Sequence, residues 1–467
     1  MKKITLVLAV SLFTGSAVAA PQPDWAAIEA EALEHFLALV RFDTTDPPGR
    51  EIDAAEYLVR ALEADGIPVQ TFALEAHRPN VVARLKGDGS KLPILIMAHT
   101  DTVNVDPAKW QVPPFSATRA GGYVYGRGTV DDKDNLVSAL MAMLTLKRLN
   151  IPLERDVIFL AESGEEGATQ VGIEYMVNNH LDAIEAEFCY AEGGGVTRQN
   201  GKVGYAAVQT MEKIPRAIAL TATGPAGHGS VPLMDNAILH LAEAVSAVGQ
   251  WRIPIRLNET TRTYFERLAA ISSPEDAQRY MDVLHPDAAI RNAADDYFRR
   301  HEPRHASMLR TSISPTIFEG GYRVNVIPSD ATATLDTRLE PTEDAEAFLE
   351  QVRGVINDPS IAVNWAPRNI RPAGTSSLDT EAFKVIEANV RKHYEATTLP
   401  TMSTGATDMA YLRARGIQCY GIGPAIDIED GPKGYGAHSD QERILESELL
   451  RFVRFHYDIV ADIAASR

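Results

Sequence analysis

The chain has 467 residues, 45% hydrophobic and 23% charged, a balance that reads as a soluble globular protein long enough for two domains and excludes a disordered chain or a repeat array. Its 63 acids against 45 bases leave a formal net charge of −18, which argues against nucleic acid and acidic membrane surfaces as partners. Only Cys189 and Cys419 are present, so a disulfide scaffold is excluded; both lie in apolar runs and are expected as buried thiols, although a bridge between them stays open.

In chain order, Lys2 and Lys3 precede an apolar run from Ile4 to Phe13 and small residues up to Ala20. This reads as a signal peptide over residues 1–20, too short to span a membrane, so an exported protein, periplasmic or secreted, is expected. Helical spacing follows over Ala26–Val40 and Ile52–Asp65. Strand signals lie at Val69–Leu74, Asn80–Leu85 and Ile94–Ala98, then a helix over Asn135–Leu149. A strand at Val157–Ala161, a helix at Gly172–Asn178 and a strand at Ala186–Tyr190 continue the alternation. Strands alternating with helices imply an α/β fold with a mostly parallel sheet.

From about Tyr205 the texture changes. A strand pair, Tyr205–Gln209 and Ala217–Thr223, precedes a helix over Asn236–Val248, a long charged stretch to Arg310, and strands at Arg323–Val326 and Ala331–Arg338. This reads as an α+β unit over residues 211–340 inserted into a first domain made of residues 21–210 and 341–467. Thr380–Tyr394, Ala406–Arg415, Ile417–Ile422 and Ser447–Ala464 restore helix-strand alternation.

Chemistry gathers where strands stop. The run Ile94–Asp101 ends in His99 and Asp101, on one side of the strand end by period-two alternation. Asp131 follows GRGTV at a turn into a helix, where acids also serve ordinary capping. Glu165 and Glu166 follow VIFLA, Glu192 follows FCYA, and His438 sits in the glycine-bearing loop GAHSDQERI. Each residue alone has a plain explanation as a solvated or capping group. Together, His99, Asp131, Glu166, Glu192 and His438 supply two imidazoles and three carboxylates, a set suited to two zinc ions, with Mn or Co as alternatives. With Asp131 as a bridge, each metal receives three protein ligands, and Glu165 is left free as a base.

The stretches MAHTDTV, GRGTVDDKD, ESGEEG, YAEGGG, GPAGHGS, YRVNVIPSDATATLDTRL, GATDMAYL and GAHSDQERI, in this order from about residue 30 to 460, resemble the dizinc aminoacylases and carboxypeptidases, the M20 metallopeptidases. The resemblance implies a zinc-exopeptidase catalytic domain with an inserted lid domain, often the dimerisation surface. It implies one metal on His99, Asp131 and Glu192 and a second on Asp131, Glu166 and His438, with a cis peptide after Asp131. It also implies that His228 reaches an active site, commonly the partner subunit's, to stabilise the oxyanion. Asn325 and Arg338 would grip a substrate carboxylate, Arg by its bidentate fork, and Gly405 would make a backbone contact beside the substrate. For Arg338, pairing with Asp336 or Glu340 is the plain alternative. Asp101 is expected to orient His99.

Asp134 and Gly164 depart from the family pattern, where Gly and an acid are common, and put only local loop shape in doubt. The segment from Trp251 to Leu309 is longer than a minimal lid. His301-Glu302-Pro303-Arg304-His305 fits the H-E-x-x-H pattern, but Pro303 disfavours the continuous helix that motif requires.

The expected function is therefore metal-dependent hydrolysis of an amide bond next to a free carboxylate, by an exported carboxypeptidase or dipeptidase. An aminoacylase acting on N-acyl amino acids is the alternative within the same chemistry. An exported, non-catalytic protein that binds metal or peptide is the alternative of another class.

Overall fold

The computed structural model describes residues 22–367 and 370–466; the expected signal peptide lies outside the described residues. The strands Ile94–His99 and Val157–Glu162 are apolar runs buried at every position, as strands covered on both faces must be. They pair in parallel, from Ile94 opposite Val157 to His99 opposite Glu162. On its other edge Ile94–His99 runs parallel to Phe188–Ala191, which in turn runs parallel to Gln418–Gly421. Four neighbouring strands therefore stop at the same edge of a ten-stranded mixed sheet, which has antiparallel pairs on both flanks and ends on one side in the parallel strand Ala425–Asp427.

Alternation along Ile94–His99 feeds two apolar clusters. Ile94, Ile96 and Ala98 face one, with the helices Trp25–Val40, Lys133–Arg148 and Glu446–Ala464. Leu95 and Met97 face the other, with Ile173, Met176, Met409 and Leu412. The helix Lys133–Arg148 is buried at every position from Lys133 to Leu146, as expected of a helix enclosed by neighbours. Phe159, fully buried, shows the scale: burying such a side chain stabilises by about 1.5–3 kcal/mol. Cys189 and Cys419 are fully buried free thiols opposite one another on adjacent strands.

A second sheet, Ser312–Gly320, Asp330–Leu339, Ile214–Thr223 and Ile361–Trp365 in that order, is antiparallel throughout. The helices Ala237–Gln250 and Ala345–Ile356 cover one face of it. Here the structure departs from the sequence reading twice. Tyr205–Gln209 and Ala217–Thr223 are not a pair: the first lies in the strand Lys202–Glu212 of the large sheet, beside Thr397–Ser403, and the second in the small sheet beside Asp330–Leu339. The small sheet's apolar cluster also takes in Phe348, Leu349, Val352, Ile361 and Val363, beyond the expected boundary at residue 340.

The charged stretch before Arg310 folds into the helices Glu259–Ala270, Pro274–Asp282, Ala288–His301 and Pro303–Met308. Side chains of Asn258, Ser273 and Asp287 cap the first three, and Tyr264, Phe265, Tyr280 and Phe298 form their core. The helix breaks at Glu302, with φ −136°, and Pro303 opens the next one. His301 and His305 thus sit on different helices, and His305 bonds Tyr264 and Glu302, which disposes of the single-zinc pattern. Among the described residues no helix is long and apolar enough to cross a membrane.

His456, on the last helix, is buried with neither ring nitrogen bonded, and burial pushes its pKa down to about 3. The unfolded chain takes up this proton as pH falls through about 6.5 and the folded chain does not, so stability contributed above that pH is lost toward pH 3. At pH 5 the loss is about 2 kcal/mol. His456→Leu is expected to shrink the difference in urea midpoint between pH 7 and pH 5; an unchanged difference would show that this imidazole carries none of it.

Candidate metal centre

The edge where the four parallel strands stop collects the acidic and imidazole groups. His99 is the last residue of the central strand, the Ser163–Gly167 loop follows the strand on one side, and Glu192 follows the strand on the other. Asp131 lies in the loop before the helix Lys133–Arg148 and is followed by a cis Asp131–Asp132 peptide. His438 comes from the loop before the last helix. Asp131 joins the two imidazoles: its Oδ1 is 3.1 Å from His99 Nε2 and its Oδ2 is 3.0 Å from His438 Nε2. His438 Nε2 is also 3.1 Å from Glu166 Oε1. One potential ligand atom from each of His99, Asp131 and Glu192 lies within 4.8 Å of the others, as do those of Asp131, Glu166 and His438.

The electrostatics call for more positive charge than the chain supplies. Burial, with Glu165 close by, drives Glu192 well above the ordinary carboxylate range. Burial likewise pushes Glu166 to about 6, against the bond from His438, and Asp132 to about 7. Burial opposes ionisation of Asp131 too, but the bonds from His438 and His99 hold its pKa below the usual range. His438 is raised to about 10 by its bonds to Asp131 and Glu166. Buried carboxylates are costly unless paired or coordinated, and an N/O donor set sharing one carboxylate suits two borderline divalent ions. The residues present fit such a pair.

Asp101 does more than orient His99. His99 Nδ1 lies 3.0 Å from the Asp101 carbonyl and 3.5 Å from its carboxylate. That carboxylate accepts from the backbone N–H groups of Gly164, Glu165 and Glu166 at 2.9, 3.2 and 3.0 Å, so it shapes the loop that carries both glutamates. Gly164, at the position where relatives often have an acid, has φ +78°, and a Cβ there would lie 2.6 Å from the Ala168 carbonyl oxygen; only glycine fits without strain. Asp134 is fully buried in the first helical turn, driven well above the carboxylate range by burial and Asp132.

His228, Asn325, Arg338 and Gly405 belong to neither group of potential ligands. His228 is exposed and bonds Ser230, and Asn325 is exposed, its carbonyl accepting from Gly229 N. Arg338 Nε donates to Asp336 at 3.0 Å, the plain pairing anticipated for it. Gly405 N donates to Ser403 Oγ.

The residues that hold the loops together escaped the sequence reading. Arg127 donates to Glu442 at 2.6 Å and to the Ser439 carbonyl, and Glu442 also accepts from Val130 N, which locks the His438 loop to the Asp131 loop. Glu212 accepts from Thr407 N and Oγ1 and from Arg413, fixing the loop of Gly405. Arg371 donates to Glu165 and pairs with Asp408. No local motif marks such partners, because each pair is far apart in the chain.

Residues 95–462 match the model of a family described as Peptidase family M20/M25/M40. The chain is 27% identical to the N-fatty-acyl-amino acid synthase/hydrolase PM20D1 of Homo sapiens over 80% of this chain and 74% of that one. It is also 27% identical to aminoacylase-1A of Rattus norvegicus over 80% of each. Its fold is that of an M20 family metallo-carboxypeptidase from Sulfolobus solfataricus, with TM-score 0.67 and 21% identity over 92% of this chain and 98% of that one.

Because Asp131 belongs to both groups and Glu192 and His438 to one each, Asp131→Asn is expected to abolish uptake at both, whereas Glu192→Ala or His438→Ala removes one. Metal analysis after dialysis against zinc checks this; equal losses for all three variants would refute two groups sharing a carboxylate.

Proposed function

The chain belongs to the peptidase family M20/M25/M40 and is a metallopeptidase or amidohydrolase of that family; from this we propose that it hydrolyses an amide bond adjacent to a free carboxylate, as a carboxypeptidase or dipeptidase using two zinc ions. The observation that carries the reading is the spare acid. Glu165 lies beside two groups of potential metal ligands but belongs to neither, as a general base should. A non-catalytic binding protein has no use for it.

Two zinc ions, when bound, would make water more acidic and polarise the scissile carbonyl. His99, Asp131 and Glu192 would hold one, and Asp131, Glu166 and His438 the other. Glu165 takes the proton of the attacking water and returns it to the leaving nitrogen. Asp101 keeps Glu165 in place through its backbone and steadies the His99 ring. Arg338, released from Asp336, and Asn325 grip the substrate carboxylate, Gly405 contacts the substrate through its backbone, and His228 stabilises the oxyanion. His228, Asn325 and Arg338, which belong to the insert, require its closure over the large sheet.

The names of the relatives, an aminoacylase and an N-fatty-acyl-amino acid synthase/hydrolase, favour N-acyl amino acids as the second reading. Residues 1–20 would direct export.

The insert presents Val231, Met234, Phe318, Tyr322 and Val324 to solvent, Val324 fully and Met234 at 91%; Phe318 lies on the edge strand Ser312–Gly320, and Tyr322 and Val324 follow it. An apolar face next to an open edge suits pairing with a second copy, and a dimer would let His228 reach the partner's site.

A panel of dipeptides and N-acyl amino acids, with and without chelator, tests the activity. Metal-dependent cleavage is expected, with Glu165→Gln retaining metal and losing about 10²–10⁴-fold in kcat; failure to cleave either class refutes the assignment. Met234→Glu with Val324→Glu should halve the mass in sedimentation, and an unchanged mass refutes dimerisation through this face.

A further inference from the structure

Glu165 is held by Arg371, which belongs to neither group of potential metal ligands. Nη1 donates to Glu165 Oε1 at 2.8 Å and Nη2 to the Glu165 carbonyl at 3.0 Å. Nη1 also lies 3.1 Å from Asp408 Oδ1. Asp408 is 1% exposed, and its carboxylate has no hydrogen bond beyond this ion pair. The guanidinium therefore grips the side chain and the main chain of Glu165 at once and is itself anchored by a buried acid. Glu165 Oε2 makes no hydrogen bond among the described residues, so it is the oxygen left to exchange a proton.

Arg371 is carried by the segment that leaves the small sheet after Ile361–Trp365 and rejoins the large sheet where Thr375 bridges Met211 and Ser376 N donates to the Thr210 carbonyl. Asp408 opens the short helix Met409–Arg413 after the Gly405 loop. The clamp thus ties together the glutamate loop, the Gly405 loop and the return from the insert. Lysine offers one point charge in place of a planar fork and cannot span three acceptors in this geometry.

We propose that Arg371, anchored by Asp408, is a positioning residue for Glu165, holding its Oε1 and backbone so that Oε2 alone meets the attacking water. The inference rests on Glu165 as the base. Its role is distinct from charge balance for Asp408, because it requires the fork to bind Glu165 itself.

The test uses the full metal-loaded chain and the substrate found in the panel. Arg371→Ala is expected to lower kcat about 10²-fold, the scale of a misplaced catalytic group, with KM changed less than about threefold and metal content unchanged. Added guanidinium should restore part of kcat to Arg371→Ala but none to the double variant with Glu165→Gln, and the two substitutions should be strongly non-additive. Arg371→Lys, which keeps the charge for Asp408 and guards against misfolding of the alanine variant, should still lose about tenfold in kcat. Wild-type kcat in Arg371→Lys, additive effects, or metal loss in Arg371→Ala each overturns the proposal. An active Glu165→Gln enzyme instead overturns the base assignment on which the proposal stands.

Discussion

The shared carboxylate of Asp131 is the constraint on which the rest of the site depends. One oxygen faces His99 and the other His438, residues that enter from opposite ends of the chain. For both contacts to exist, the central strand, the Asp131 turn and the last loop must be fixed to within a few tenths of an ångström. Much of the surrounding structure can be read as the means of doing so: the helix Lys133–Arg148 enclosed on all sides below, the Arg127–Glu442 pair across the two loops, and the Asp101 carboxylate gathering three backbone donors of the glutamate loop.

The same arrangement concentrates negative charge. Glu162, Asp132, Asp134, Glu192 and Asp408 are all driven above the carboxylate range, first by burial. A protein tolerates this where the acids serve a cation, since the desolvation cost of each is several kcal/mol unless it is paired or neutralised. Two divalent ions would offset the acids nearest His99 and His438, and Arg371 offsets Glu165 and Asp408.

The two sheets divide the labour. The large one presents the acids and imidazoles at the ends of parallel strands, whereas the insert carries Arg338 on the small sheet and His228 on a separate two-stranded ladder with Val326, next to Asn325. In this structure Arg338 is occupied by Asp336, and His228 and Asn325 are exposed, so the roles proposed for them would require a movement of the insert. The long insertion touches both: Arg267, on its first helix, bonds Glu387 and the Thr398 carbonyl beside the large sheet, and Arg256, just before that helix, bonds Glu343 beside the small one.

The sequence by itself determined the core strands, because Ile94–His99, Val157–Glu162 and Phe188–Ala191 are apolar runs that end in chemistry-bearing residues. The potential ligands were legible there because period-two patterning and local turn signals are short-range. The pairing of Lys202–Glu212 with Thr397–Ser403 and the reach of the small sheet to Val363 were not, since partner choice depends on segments far apart in the chain. Tertiary structure alone decided that Glu165 is gripped by Arg371, that Arg127 meets Glu442, and that Asp101 serves a loop as well as a ring. Hydrogen bonds and ion pairs between distant residues leave no periodic trace, because their energy depends on distance in space and not on spacing along the chain.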